Sequence, residues 1–191
     1  MSRLCSLEGK LNYIKTKHLM KNYLQISVLE ASQKRIEQSF DWFDKIYVSF
    51  SGGKDSTVML HMVMAEAIKR GKRVGVLIID LEAQYTDTIK HITACVEMYE
   101  KHIDVYWICA ELLLRNAVSN FEPKWCCWDK DKESSWVRDM PSRAFDLSKL
   151  DFYRPKMEFE EFMVLFGEWY SSGDTTCAFI GIRADESLHR Y

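Results

Sequence analysis

Six consecutive residues, Ser51-Gly52-Gly53-Lys54-Asp55-Ser56, combine the types needed to hold a phosphate. Gly52 and Gly53 let the backbone turn tightly and approach an anion with no Cβ in the way. Backbone N–H groups at the start of a following helix would point at the ligand, and the helix dipole favours negative charge there. Ser51 and Ser56 add hydroxyl donors, and Lys54 adds a point charge. The chemistry on offer is the binding of an adenine nucleotide or a related phosphorylated ligand. A structural helix start needs only one capping residue, so a purely structural reading of the whole run is weak. The run matches neither G-x-x-x-x-G-K-[ST] nor G-x-G-x-x-G.

Two distant residues could complete such a site. Asp80 closes the apolar run 74–79 with a carboxylate, and Arg183 follows the apolar run 176–180. A guanidinium can fork onto phosphate or sulfate. Taken singly, each has a plainer reading, as a cap of the next helix or as a surface residue.

These residues must be brought together by the elements between them. The pattern predicts a helix over 27–43, opened by a capping box at Ser27-Val28-Leu29-Glu30. A strand over 45–50, the glycine turn and a helix to Arg70 follow, with Gly71 as the stop. Further strands are expected over 74–80, 104–109 and 176–181, and further helices over 86–99, 111–118 and 157–170. Alternating strands and helices predict an α/β fold: a doubly wound, mostly parallel sheet with helices on both faces. Ligands of such sheets sit at the carboxyl ends of strands, where strand order reverses. The glycine loop, Asp80 and Arg183 all fall at strand ends and can meet at one edge.

The segment 119–155 breaks the alternation. It carries Pro123, Pro141 and Pro155 together with Trp125, Trp128 and Trp136. So long an insertion is either a substrate-side lid or a packed loop. Residues 1–22 read as a polar lead-in, and 23–191 as one domain.

Composition narrows the function classes. Hydrophobic residues make up 47% and charged residues 28%, at a formal net charge of -2. That balance suits a soluble globular domain and gives no sign of nucleic-acid binding through bulk charge. No apolar run reaches the ~20 residues of a membrane span. No apolar leader follows Met1, so a cytoplasmic location with reduced cysteines is expected. The six cysteines include the adjacent pair Cys126-Cys127 but no C-x-x-C, and the five histidines show no metal spacing. No metal site is expected, and His61 and His91 read as structural residues on helices.

The run Ser51-Gly52-Gly53-x-Asp55-Ser56 resembles the PP-loop of N-type ATP pyrophosphatases and phosphoadenosine phosphosulfate (PAPS) reductases, whose pattern is S-G-G-x-D-S. Asp80 resembles their acidic residue after the second strand. Gly181-Ile182-Arg183-Ala184-Asp185-Glu186-Ser187 resembles their G-[IL]-R-x-x-[EQ]-S segment. The stretches 125–129 and 135–141 resemble the insertion of the IbrA-type subgroup, found in bacteria and phages. Members of that subgroup continue past the arginine segment, and this chain is read as C-terminally shortened.

The resemblance implies a Rossmann-like α/β/α sandwich of the adenine nucleotide alpha hydrolase type. It implies nucleotide or phosphate contacts from Ser49, Ser51, Gly52, Gly53, Lys54, Asp55, Ser56, Asp80, Arg183, Glu186 and Ser187, with Lys54, Asp55 and Arg183 stabilising charge during reaction. ATP or PAPS would be the ligand, with Mg²⁺, and an iron–sulfur cluster is not expected. The implied activity is a transferase of sulfur metabolism acting by adenylyl or sulfonucleotide transfer. The alternative is a catalytically incomplete, nucleotide-binding regulatory module working with a ParB-like partner protein.

Overall fold

A computed structural model describes residues 25–182, apart from 117 and 120. The chain divides into two compact units, 35–181 and 1–34 with 182–191. Nearly all described structure belongs to the first. Of the second, Ser27 carries the expected capping box: its Oγ accepts the Glu30 N–H at 3.2 Å, and Glu30 Oε2 accepts the Ser27 N–H at 3.1 Å. It opens α1 (Val28–Trp42). Ile36 and Phe40 on that helix are buried, whereas Val28 and Leu29 are exposed.

In the larger unit, β1 (Lys45–Ser49), α2 (Lys54–Arg70), β2 (Val74–Ile79), α3 (Thr86–Tyr99) and β3 (Ile103–Ile108) follow in order. β2 is apolar throughout and buried along nearly its whole length, as a strand covered on both faces must be. Gly71, at φ 64°, ends α2 in the left-handed conformation that glycine tolerates. Then come β4 (Leu112–Arg115), β5 (Lys124–Cys127), β6 (Met157–Glu158), α4 (Phe159–Ser171) and β7 (Thr176–Ile180).

The main sheet has the order β3-β2-β1-β7, and every pairing in it is parallel. The chain steps outward from β1 through β2 to β3, then returns to the far side of β1. With right-handed crossovers, α2 and α3 cover one face and α4 the other. Tyr47 and Tyr106 lie beneath α4, each in edge-on contact with Phe166 and Tyr170. Gly75 leaves room there: a Cβ would stand 2.8 Å from the Tyr170 hydroxyl, which donates to the Ile46 carbonyl. This is the doubly wound α/β architecture that the strand–helix alternation predicts.

One element differs from expectation. The segment 111–118 does not form a short helix; Leu112–Arg115 is a strand. It pairs antiparallel with β5 and parallel with β6, in a second sheet of order β5-β4-β6. The leucine run is compatible with either state. Partners from far along the chain decide, because strand preference follows packing more than local propensity. The same pairing gives the insertion a strand and fixes its beginning. None of the helices among the described residues is long and apolar enough to cross a membrane.

Candidate functional site

The strand order reverses between β1 and β7, and the glycine loop springs from the carboxyl end of β1 at that point. Ser49, the last residue of β1, is in register with Leu77 of β2 and Ile180 of β7. Two glycines hold the loop against its neighbours. Gly52 has φ 75°, and a Cβ there would lie 2.8 Å from Ile92 Cγ1 and 3.0 Å from Thr88 Cγ2, both on α3. Gly181, directly after β7, packs on the first turn of α2; a Cβ would stand 2.9 Å from the Ser56 N and Cα. The loop is thus clasped between α3 on one side and the end of β7 on the other.

Gly53 is the N-cap of α2, in an extended conformation and with no side-chain cap. The first N–H groups of the helix therefore find no side-chain acceptor on the capping residue. Two hydroxyls line the loop: Ser51 Oγ and Ser56 Oγ are 3.1 Å apart. Ser56 Oγ and Thr57 Oγ1 donate to the Gly53 carbonyl at 3.0 and 2.9 Å. Lys54, well exposed, folds its ammonium onto Asp55 at 2.7 Å. Chemically this is a small cradle of backbone and hydroxyl donors with one movable cation, suited to an oxyanion.

Asp80 occupies the same sheet edge, following β2, the strand next to β1. Its carboxylate, however, is fully buried and committed to protein partners. Oδ2 accepts from Trp107 Nε1 at 2.8 Å; Oδ1 accepts from the Glu82 N–H at 2.9 Å and also from Arg138 Nη2. Arg183, Glu186 and Ser187 lie outside the described residues. The structure therefore brings Ser49, Ser51, Gly52, Gly53, Lys54, Asp55 and Ser56 together at one strand-to-helix turn, from the end of β1 to the first turn of α2. It places Asp80 on the same edge beneath the insertion.

That insertion is stitched to the carboxyl ends of β2 and β3. The Glu82 carboxylate accepts N–H groups from Trp128 at 3.2 Å and Val137 at 3.0 Å. Trp128 Nε1 donates to the Asp80 carbonyl at 2.7 Å, and the Phe145 N–H donates to the Trp107 carbonyl at 2.7 Å. Trp128 and Trp136 meet edge to face at 5.0 Å, and the Arg138 guanidinium lies 5.1 Å from the Trp128 ring centre. Glu82 and Arg138 fall in stretches that carry the family resemblance, 81–85 and 135–141, but the resemblance gives neither a role. The signal in the sequence was the density of tryptophan and charge in 119–155, which says that something packs but not on what. Beside this cluster lies a cavity of about 430 Å³, walled by Cys109, Glu111, Trp128 and Tyr153. A larger one of about 740 Å³, lined by Lys45, Tyr106 and Trp169, opens at the amino end of β1, the edge opposite the glycine loop.

The thiols are held in their neutral form. Burial pushes Cys126 up to about 11 and Cys127 up to about 12. Cys109 is raised further, by burial first and then by the neighbouring Asp80 charge. Cys126 and Cys127 are successive residues of β5, so their side chains leave opposite faces of the strand. Cys127 Sγ lies 3.3 Å from the Ala110 carbonyl. The pair does not converge on one ion. Among the described residues no group of three or more His, Cys, Asp or Glu side chains could hold a metal.

Comparison with known proteins agrees with this geometry. The pattern of the phosphoadenosine phosphosulfate reductase domain matches residues 45–191, from the first residue of β1 onward. The chain is also 41% identical over 170 residues to the "Uncharacterized protein YbdN" of Escherichia coli (strain K12), an alignment covering 88% of this chain and 41% of that protein. It thus spans about two fifths of the length of the curated relative it matches. With a parallel sheet that reverses at a glycine loop, and with more than half of its residues matched by that domain, the chain belongs to the phosphoadenosine phosphosulfate reductase domain family.

Proposed function

We propose that the loop 51–56 is a PP-loop that binds an adenine nucleotide, ATP or PAPS, for adenylyl or sulfonucleotide transfer. Membership of the family points to nucleotide-related sulfur chemistry. The observation that carries the finer reading is the loop's position at the strand-order reversal, with an uncapped helix start facing outward from it. In the adenylyl version an acceptor nucleophile attacks the α-phosphorus of ATP. The bond to the bridging oxygen breaks, and pyrophosphate leaves with its electron pair. Lys54 would swing from Asp55 to the phosphates, Arg183 would fork onto them, and Mg²⁺ would arrive with the triphosphate as part of the substrate. Glu186 and Ser187 would complete the rim.

The sulfonucleotide version needs a thiolate to attack sulfur. The five described cysteines, all with thiols raised by burial, are poor candidates for that role near neutral pH. This observation favours a second reading, a regulatory module that binds nucleotide and acts with a ParB-like partner protein. That reading goes with placement in the IbrA-type subgroup, whose members continue beyond the arginine segment. An attacking thiol would then come from outside the stretch described.

Titration calorimetry with ATP–Mg²⁺ and with PAPS tests the site, and a pyrophosphate-release assay over a panel of acceptors tests turnover. Lys54→Ala should cost about 1.5–3 kcal/mol of binding, roughly tenfold to a hundredfold in Kd. Unchanged affinity in that variant would remove the loop from the ligand. Binding without pyrophosphate release favours the regulatory reading.

A further inference from the structure

The glycine loop is held by a residue that its own motif does not contain. Thr88, His91, Ile92 and Cys95 form one i, i+3, i+4, i+7 stripe on α3. Ile92 and Thr88 touch the space around Gly52. His91, half-buried, sets its ring edge-on to Phe50 with centres 6.2 Å apart. Its Nε2 lies 2.9 Å from Thr57 Oγ1 and 3.7 Å from Cys95 Sγ.

Both contacts of the Thr57 hydroxyl are hydrogen bonds in one proton arrangement only. The Thr57 hydroxyl has one proton and two near partners, the Gly53 carbonyl at 2.9 Å and His91 Nε2 at 2.9 Å. Giving the hydroxyl proton to the Gly53 carbonyl, which can only accept, makes hydrogen bonds of both contacts. The bond to His91 is then donated by the imidazole N–H at Nε2. The Gly53 carbonyl also takes the Thr57 N–H at 2.9 Å and the Ser56 hydroxyl at 3.0 Å. The Gly53 carbonyl thus has three donors within reach, and Gly53 is in the extended conformation that opens the first turn of α2.

The geometry points to His91 as the positioning residue of the nucleotide loop: its Nε2–H orients the Thr57 hydroxyl, which pins the Gly53 carbonyl and keeps the first N–H groups of α2 turned toward the phosphate. This rests on the nucleotide reading for its consequence, but not for its geometry. His91 touches no ligand; it sets the shape that a ligand meets.

The test compares His91→Leu with His91→Gln, whose amide N–H can replace the Nε2 donor. Two readouts are taken on the full chain: hydrogen exchange of the amides of residues 53–57 without nucleotide, and the Kd for ATP–Mg²⁺. His91→Leu should speed loop exchange and weaken binding about fivefold, the scale of one hydrogen bond. His91→Gln should restore both. Equal losses in the two variants would reduce His91 to packing, and unchanged loop exchange in His91→Leu would overturn the inference. If His91→Leu does not fold, Thr57→Val removes the same link while keeping its shape. It should loosen the loop alike, and unaltered exchange there overturns the inference too. If the wild-type chain binds no nucleotide while His91→Leu still frees the loop, the positioning role stands and the nucleotide reading falls.

Discussion

Glu82 and Trp128 meet with both backbones in the left-handed region, at φ 64° and 52°, and the Glu82 carboxylate accepts the Trp128 N–H at 3.2 Å. Non-glycine residues avoid that region unless their surroundings impose it. Here the two are 46 positions apart, one just after β2 and the other at the end of β5. Their meeting fixes where the insertion lies on the sheet edge. We expect Glu82→Gln to lose one of two acceptor oxygens and leave the Trp128 or Val137 N–H unpartnered. The cost should be about 1–3 kcal/mol, read from the urea midpoint. A midpoint equal to the wild type would mean that the carboxylate does not hold the insertion.

Arg138 reaches Asp80 from the same insertion, and the Asp80 carboxylate is fully buried. Removing one member of a buried pair leaves an uncompensated charge. Arg138→Ala should therefore destabilise by about 3–5 kcal/mol. The double variant Asp80→Asn/Arg138→Met should recover most of that loss, because neither charge remains. Additive losses in the double-variant cycle would show that the two side chains are not coupled.

Gly181 is the contact between β7 and the first turn of α2. The atoms that a Cβ would meet are the backbone N and Cα of Ser56, which cannot rotate away. Gly181→Ala should cost about 1–3 kcal/mol through overpacking. It should also weaken nucleotide binding more than Gly173→Ala, where a Cβ meets no neighbour and the cost is backbone strain at φ 89° alone. Thermal melts and calorimetry on the two variants check this. Equal affinities would separate the contact from the site.

Stability should fall on the alkaline side. Burial raises Cys126 to about 11, and Cys127 and Tyr153 to about 12, from ordinary values of 9.0 for the thiols and 10.0 for the phenol. The unfolded chain therefore gives up these protons first as pH rises. The contribution is complete below about pH 9 and is lost as pH climbs toward the folded values. Urea midpoints measured from about pH 8 to about pH 11 should decline, and Cys127→Ala should flatten the decline. A level profile in the wild type would contradict the burial of these groups.

Much of the scaffold was legible along the chain because its signals are local. The Ser27–Glu30 capping box, the stop at Gly71, the apolar run of β2 and the glycine turn after β1 each depend on residues within a few positions of one another. Parallel order followed from strand–helix alternation for the same reason. The segment 111–118 failed because its leucines suit either a helix or a strand. The deciding partners, Lys124–Cys127 and Met157–Glu158, lie far along the chain. The insertion was visible as a break in pattern but not as a structure, since aromatic and charged residues announce packing without naming a partner.

The sequence by itself determined the loop: residue types at fixed spacing make a strand-to-helix turn of backbone and hydroxyl donors whose chemistry suits an oxyanion. Only the tertiary structure decided what surrounds it. Folding brought α3 and Gly181 against the loop, with His91 bonded to Thr57. It also turned the Asp80 carboxylate toward Trp107 and Arg138. The reason is physical: a backbone cradle is built from neighbours in the chain, whereas a buried carboxylate or imidazole takes its role from whichever donors and acceptors the fold carries to it, and those are set by packing across tens of residues.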